Sequence, residues 1–149
     1  MKFENSQKYA AEALATFSLT LAVSLSLLFV FPLSTAVVAA LVVGIYVYTI
    51  GGISGAHINP AVTLGMWTIK QIGTKDALLY VASQCIGAGL ATLLVLSMTA
   101  TIPLVGAESP QIILGEAIGA FILTFGVASV ATGKAEDDAA GLIVGGSLL

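Results

Sequence analysis

Residues 51–69 read Gly51-Gly52-Ile53-Ser54-Gly55-Ala56-His57-Ile58-Asn59-Pro60-Ala61-Val62-Thr63-Leu64-Gly65-Met66-Trp67-Thr68-Ile69. The stretch is too apolar for a solvated loop and too broken for a membrane span. Three glycines let the backbone turn sharply, Asn59 is a favoured N-cap, and Pro60 suits the first helical position, where its missing N–H is not needed. A short helix is therefore expected from Asn59 to about Ile69, roughly 16 Å long or half a bilayer. Lys70 follows, where a cation complements the helix dipole. This describes a re-entrant half-helix. Irregular backbone at membrane depth is tolerated only where it is buried in protein or lines a watery cavity. The carbonyls of Gly55, Ala56, His57 and Ile58 are accordingly expected to face a pore. The alternative is a cytoplasmic loop carrying a capped surface helix.

The flanking sequence favours the membrane. Of 149 residues, 58% are apolar and 9% charged, against ~45–50% and ~25% in ordinary soluble domains. Thirteen charged side chains cannot cover a soluble globule of this size, so the apolar excess must face lipid. Residues 10–31, 34 to about 50, 77–100 and 112–131 each suit a bilayer-crossing helix, which takes ~20 apolar residues. A fifth apolar run begins near Ala139 and reaches Leu149, covering only about 16 Å as a helix, so the chain is expected to be truncated within its fifth span. The first segment differs from a secretory signal because its apolar run is longer than the ~7–15 residues of a signal core, and Glu12 lies inside it. The net charge of −3, with no arginine, excludes nucleic acid as a partner. A single cysteine, Cys85, and a single histidine, His57, supply neither a disulfide nor a Cys/His metal site. No metal or cofactor is expected, and without a nucleophile–base pair or a phosphate loop no enzymatic activity is expected either.

Orientation follows from the lysines. Lys2 and Lys8 precede the first span, Lys70 and Lys75 fall between the second and third, and Lys134 lies between the fourth and fifth. All fall on one side. The other side receives Pro32-Leu33 and the loop from Thr101 to Gln111, which carries Glu108 and no base. The positive-inside rule then puts the N-terminus in the cytoplasm.

The chain also repeats itself. Residues 12–23, EALATFSLTLAV, align with 116–127, EAIGAFILTFGV, with six identities that include Glu12 and Glu116; residues 39–44, AALVVG, echo 140–145, AGLIVG. Three spans separate the start of one copy from the start of the other, so the copies cross the membrane in opposite directions. Inverted repeats of this kind build transporters whose site lies near the midplane. The chain reads as one incomplete channel domain, 1–149, with repeat one at about 1–104 and part of repeat two at about 105–149.

SGAHINPAVTLG, residues 54–65, resembles the first Asn-Pro-Ala signature of the aquaporin, or major intrinsic protein, family. The AEALATF opening, Gln84 in span three and the later GEAIGAF follow that family's order of features. The resemblance extends over nearly the whole chain. It implies an all-α integral membrane fold, an aquaporin-like inverted repeat with a re-entrant half-helix. Aquaporins are themselves a standard example of selectivity by bore, lining donors and half-helix dipoles. On that pattern Asn59 donates to the permeant's oxygen, Gly55 to His57 supply a carbonyl ladder, and Pro60 and Ala61 complete the helix start. Glu12 and Glu116 anchor re-entrant loops by accepting their N–H groups, rather than relaying protons. His57 is expected to be a structural hydrogen-bonding group rather than a pH gate. Gly44, Gly87, Ala88, Gly89, Gly115 and Gly119 read as close helix-packing positions.

Two departures stand out. At about twenty residues before Asn59 the family commonly has an aromatic filter residue, and this chain has Ala39, which implies a wide filter. The second Asn-Pro-Ala segment, due near residue ~160 by the repeat, and the filter histidine and arginine fall beyond Leu149, so the chain reads as a fragment of a full channel. The function expected is passive conduction of water or small neutral solutes across a plasma or cell membrane by a homotetramer. The alternatives are a glycerol or small-polyol facilitator and a non-conducting subunit.

Overall fold

The computed structural model describes residues 5–99 and 109–149. Lys2 and most of the loop between spans three and four, including Glu108, lie outside the described residues, so their part in the orientation argument is not addressed by it. The chain folds as α1 (Asn5–Leu28), α2 (Thr35–Ser54), α3 (Pro60–Thr68), α4 (Thr74–Met98), α5 (Pro110–Ala131) and, after a 3-10 turn at Asp137–Ala139, α6 (Ala140–Gly146). Four of these, α1, α2, α4 and α5, are long and apolar enough to cross a bilayer. The fold is an all-α integral membrane fold.

Local chemistry sets the ends. Pro32 stops α1, which closes at Leu28 instead of running to 31. Ser34 caps α2 by accepting from the Val37 N–H at 3.4 Å, and Ser109 caps α5 through Ile112 at 3.3 Å, with Pro110 in the first turn. Gly51 and Gly52, expected to help break the chain, continue α2 instead. The turn begins only at Gly55, whose N–H returns to the Gly51 carbonyl at 2.8 Å and whose φ is +86°. This is a left-handed helix terminus that glycine takes at no steric cost.

The half-length α3 is wedged between α4 and α5, and the core joins Ala11 and Ala15 of α1, Val43 and Ile50 of α2, Val62 and Met66 of α3, Leu123 and Val127 of α5, and Val144 of α6. Helices meet closely where the sequence is small. At Gly87 of α4 a methyl would strike the Ala13 carbonyl of α1, and at Gly65 of α3 it would strike the Thr124 methyl of α5. The α2–α6 crossing is reciprocal: a Cβ on Gly44 would stand 2.9 Å from the Gly141 oxygen, and one on Gly145 would stand 2.5 Å from the Ala40 oxygen. In the sequence echo, 40 pairs with 141 and 44 with 145. Equivalent residues thus touch across the contact in both directions. Gly89, Gly115 and Gly119 do not share this role, since a side chain there would meet nothing within 4 Å. Gly89 faces outward on α4 with the exposed Ile86 and Leu90, and Gly115 and Gly119 face outward on α5 with the exposed Ile113, Leu114, Phe121 and Phe125. Apolar groups on that face are stable only against lipid or other protein.

Candidate functional site

The segment after α2 is held in an unfavourable backbone shape. Ala56 has φ of 48° and Ile58 of 56°, left-handed values that cost L-residues about 1–3 kcal/mol each and are worst for a β-branched side chain. Glu12 compensates. Its carboxylate, with no exposed surface, reaches across from α1 and accepts four hydrogen bonds, two at each oxygen. Oε1 takes Ser54 Oγ at 2.6 Å and the His57 N–H at 3.0 Å; Oε2 takes the Ile58 N–H at 2.7 Å and Gln84 Nε2 at 2.8 Å. Bonds to an ionised acceptor contribute about 1.5–3 kcal/mol apiece, enough to offset the two strained residues. The Ile58 side chain, 2% exposed, is sunk in the core.

The consequence for the backbone is one-sided. The Gly55 N–H goes to Gly51, that of Ala56 to Ser54 Oγ at 3.1 Å, and those of His57 and Ile58 to Glu12. Every amide donor from 55 to 58 is therefore used. Of the carbonyls, Ile58 accepts from Thr16 Oγ1 at 3.3 Å, while those of Gly55, Ala56 and His57 have no donor among the described residues. The same three residues line a cavity of about 770 Å³. It lies at the end of the bundle where α1 and α4 begin, since Lys8, Asp76 and Asp137 line it too. Nearby, Tyr9 donates to Asp76 at 2.7 Å.

Asn59 begins α3 as its sequence predicts. In extended backbone, its Oδ1 accepts from the Ala61 N–H at 2.7 Å and Pro60 takes the first helical position. The side-chain nitrogen of Asn59 is left without a partner among the described residues. The helix ends at Thr68, and Lys70, beyond the cap with φ of 62°, is an exposed turn residue rather than part of the last turn. Neither Asn59 nor Ala39 lines the cavity. Ala39 is half-buried in the first turns of α2, at the opposite end of that helix from Gly55.

His57 is buried, with Nδ1 3.1 Å from Thr63 Oγ1 and its ring packed edge-on against Tyr80 at 5.1 Å. Tyr80 in turn donates to the Ser54 carbonyl at 2.7 Å, and Gln84 bridges Glu12 to Thr63. Thr16, Ser54, Thr63 and Tyr80 thus complete the site, and sequence reasoning passed over them. The one available signal was that they are polar residues inside apolar segments. Glu116 stands apart: it is exposed on α5 and has no hydrogen-bond partner among the described residues.

Comparison with known proteins assigns the family. The family profile described as Major intrinsic protein matches residues 1–148. The chain belongs to the major intrinsic protein family. Among related members, it is 40% identical to the "Probable aquaporin AqpM" of Archaeoglobus fulgidus, an alignment covering 71% of this chain and 48% of that protein. It is 36% identical to "Aquaporin AqpM" of Methanothermobacter thermautotrophicus over 66% of this chain and 45% of that one. It is 35% identical to "Nodulin-26" of Glycine max over 96% and 58% respectively. The chain spans about half the length of the curated relatives it matches.

Proposed function

We propose that this chain supplies the first half-pore, and the beginning of the second, of a passive channel for water or other small neutral solutes. The observation that carries the reading is the sorted polarity of residues 55–58, with all N–H groups turned to protein and three carbonyls, on residues that line the cavity, without a donor among the described residues. A water leaving bulk loses hydrogen bonds at several kcal/mol unless the path replaces them. The carbonyls of Gly55, Ala56 and His57 accept, and the unpaired amide nitrogen of Asn59 donates. The cap oxygen and the donating nitrogen of Asn59 are different atoms, so both roles coexist. The N-terminus of α3 adds positive potential that opposes cations. Glu12, Pro60 and Ala61 hold the geometry, and Glu116 is proposed to anchor a second re-entrant segment in the same way. The lysine pattern supports a cytoplasmic N-terminus in a plasma or cell membrane, and the family supports a homotetramer. The reciprocal α2–α6 contact supports the division into an inverted repeat, about 1–104 and 105–149.

A second reading, a small-polyol facilitator, is favoured by Ala39, where an aromatic ring of 150–250 Å² buried area would otherwise narrow the bore. The test is stopped-flow swelling of proteoliposomes. One set holds residues 1–149, and another holds the same chain continued to full length with the second half of the Archaeoglobus relative. The first is expected to insert and remain at lipid background. The second is expected to pass water well above background, with Ala39→Phe lowering glycerol flux more than water flux. Background flux from an inserted, full-length chain would overturn the channel reading. An unchanged glycerol-to-water ratio would remove Ala39 from the constriction.

A further inference from the structure

His57 is the single histidine of the chain, and which of its ring nitrogens carries hydrogen decides whether the cavity wall offers only acceptors or also a donor. The hydrogens around it can be counted. Glu12 accepts from Gln84 Nε2 at 2.8 Å, which fixes the orientation of that amide because a carboxylate needs a donor opposite it. The second Gln84 hydrogen then goes to Thr63 Oγ1 at 3.0 Å. Thr63 keeps one hydroxyl hydrogen of its own. Three acceptors stand within reach: His57 Nδ1 at 3.1 Å, the Asn59 carbonyl at 3.2 Å and Gln84 Oε1 at 3.5 Å. Gln84 already donates to this hydroxyl, and the Asn59 carbonyl already accepts the Thr63 N–H at 3.0 Å. His57 Nδ1 has no other partner among the described residues.

The far edge of the ring agrees. A Cβ on Gly55 would stand 3.5 Å from both His57 Nε2 and Cδ2, so this edge lies along Gly55, and both residues line the cavity. Nε2 has no partner among the described residues, yet no buried, unpaired side-chain polar atom occurs among them, so Nε2 is open to the cavity. The cavity is lined by Gly55, Ala56 and His57, whose carbonyls have no donor among the described residues. An N–H at Nε2 would add a donor to a lining that otherwise offers acceptors.

We propose that the Thr63 hydroxyl, oriented by Gln84 and Glu12, donates to His57 Nδ1 and fixes the ring as the Nε2–H tautomer, placing one donor on a wall of carbonyl acceptors. Thr63 is a positioning residue, acting on the cavity only through His57. The effect on a permeant rests on the channel reading above; the tautomer itself does not.

Because there is one histidine, the test needs no site assignment. The chain is labelled with carbon-13 and nitrogen-15 histidine, placed in lipid bilayers in mildly alkaline buffer, and its imidazole nitrogens are correlated with ring carbons by solid-state NMR. Only Nε2 is bonded to Cδ2, so the two nitrogens are told apart. The expected spectrum is a single form with hydrogen on Nε2 and a hydrogen-bonded, unprotonated Nδ1. Thr63→Ser keeps that spectrum, and Thr63→Val loses it, with an Nδ1–H form appearing. Hydrogen on Nδ1 in the native chain, hydrogen on both nitrogens, or a Thr63→Val spectrum identical to the native one would each overturn the proposal. The native spectrum decides the tautomer even where Thr63→Val does not fold. Absent flux through the lengthened chain, with the Nε2–H spectrum intact, would remove the channel reading and leave the tautomer standing.

Discussion

Glu12 and Glu116 open the same sequence phrase, Glu-Ala and, after three intervening residues, Phe, on two helices of bilayer length. Glu12 has no exposed surface and serves four donors; Glu116 is exposed and serves none among the described residues. The phrase therefore specifies a helix with an acid in its first turns, and nothing more. What turns the acid into a structural anchor is a strained loop brought against it, with N–H groups that have no other acceptor. An isolated carboxylate in a span is costly, so its environment decides its use.

The sharpest way to break this contrast is to neutralise each acid. Glu12→Gln sets an NH₂ group against two of the four donors, at about 1–3 kcal/mol for each buried group left unpaired. A large fall in thermal unfolding temperature in detergent is expected. Glu116→Gln is expected to stay within ~0.5 kcal/mol of the native chain, as for an exposed substitution. Equal losses from the two would show that Glu116 has a partner and would end the comparison.

A smaller effect separates the glycines. Gly87→Ala drives a methyl into the Ala13 carbonyl and should cost about 1–3 kcal/mol through helix displacement. Gly119→Ala meets open space on α5 and should stabilise the helix by up to about 1 kcal/mol. The pair of unfolding temperatures should move in opposite directions. Movement in the same direction would place a neighbour over Gly119.

The smallest change tests the loop directly. Tyr80→Phe keeps the ring against His57 and removes one hydrogen bond, to the Ser54 carbonyl, at about 1 kcal/mol. Hydrogen exchange at the Ala56, His57 and Ile58 amides should accelerate several-fold while amides in the middle of α1 hold their rates. Acceleration throughout α1 would show that Tyr80 supports the whole bundle, not the turn beside it.

Much of this architecture was legible in the chain because its causes are local. Hydropathy sets the spans to within a few residues, and Asn59-Pro60 marks the start of α3 through cap chemistry that involves only the next turn. Reading failed where the cause was distant. Gly51 and Gly52 look like breakers, yet both remain helical within α2, and the bend waits for Gly55. Gly89 and Gly119 cannot be told from Gly87 without knowing which face meets another helix. Ser54, Thr63 and Tyr80 acquire meaning only from partners 42, 21 and 26 residues away, respectively, and no spacing within one helix encodes such pairings. The resemblance supplied the role of Glu12 in advance, but not the two-and-two division of its oxygens.

That division has a consequence for synthesis. Glu12 is made well before its partners: the Ser54 hydroxyl follows it by 42 residues, the Ile58 amide by 46 and the Gln84 amide by 72. At ~5–20 residues per second, α1 carries its acid through several seconds of elongation with none of the groups that later satisfy it. During that interval the leucine-rich remainder of α1 must carry the cost of an unpaired acid within the span, at most the roughly 2.5–3.5 kcal/mol of an acid at a helix centre. The apolar surplus of the first span is thus as much a requirement of the order in which the chain is made as of the finished fold.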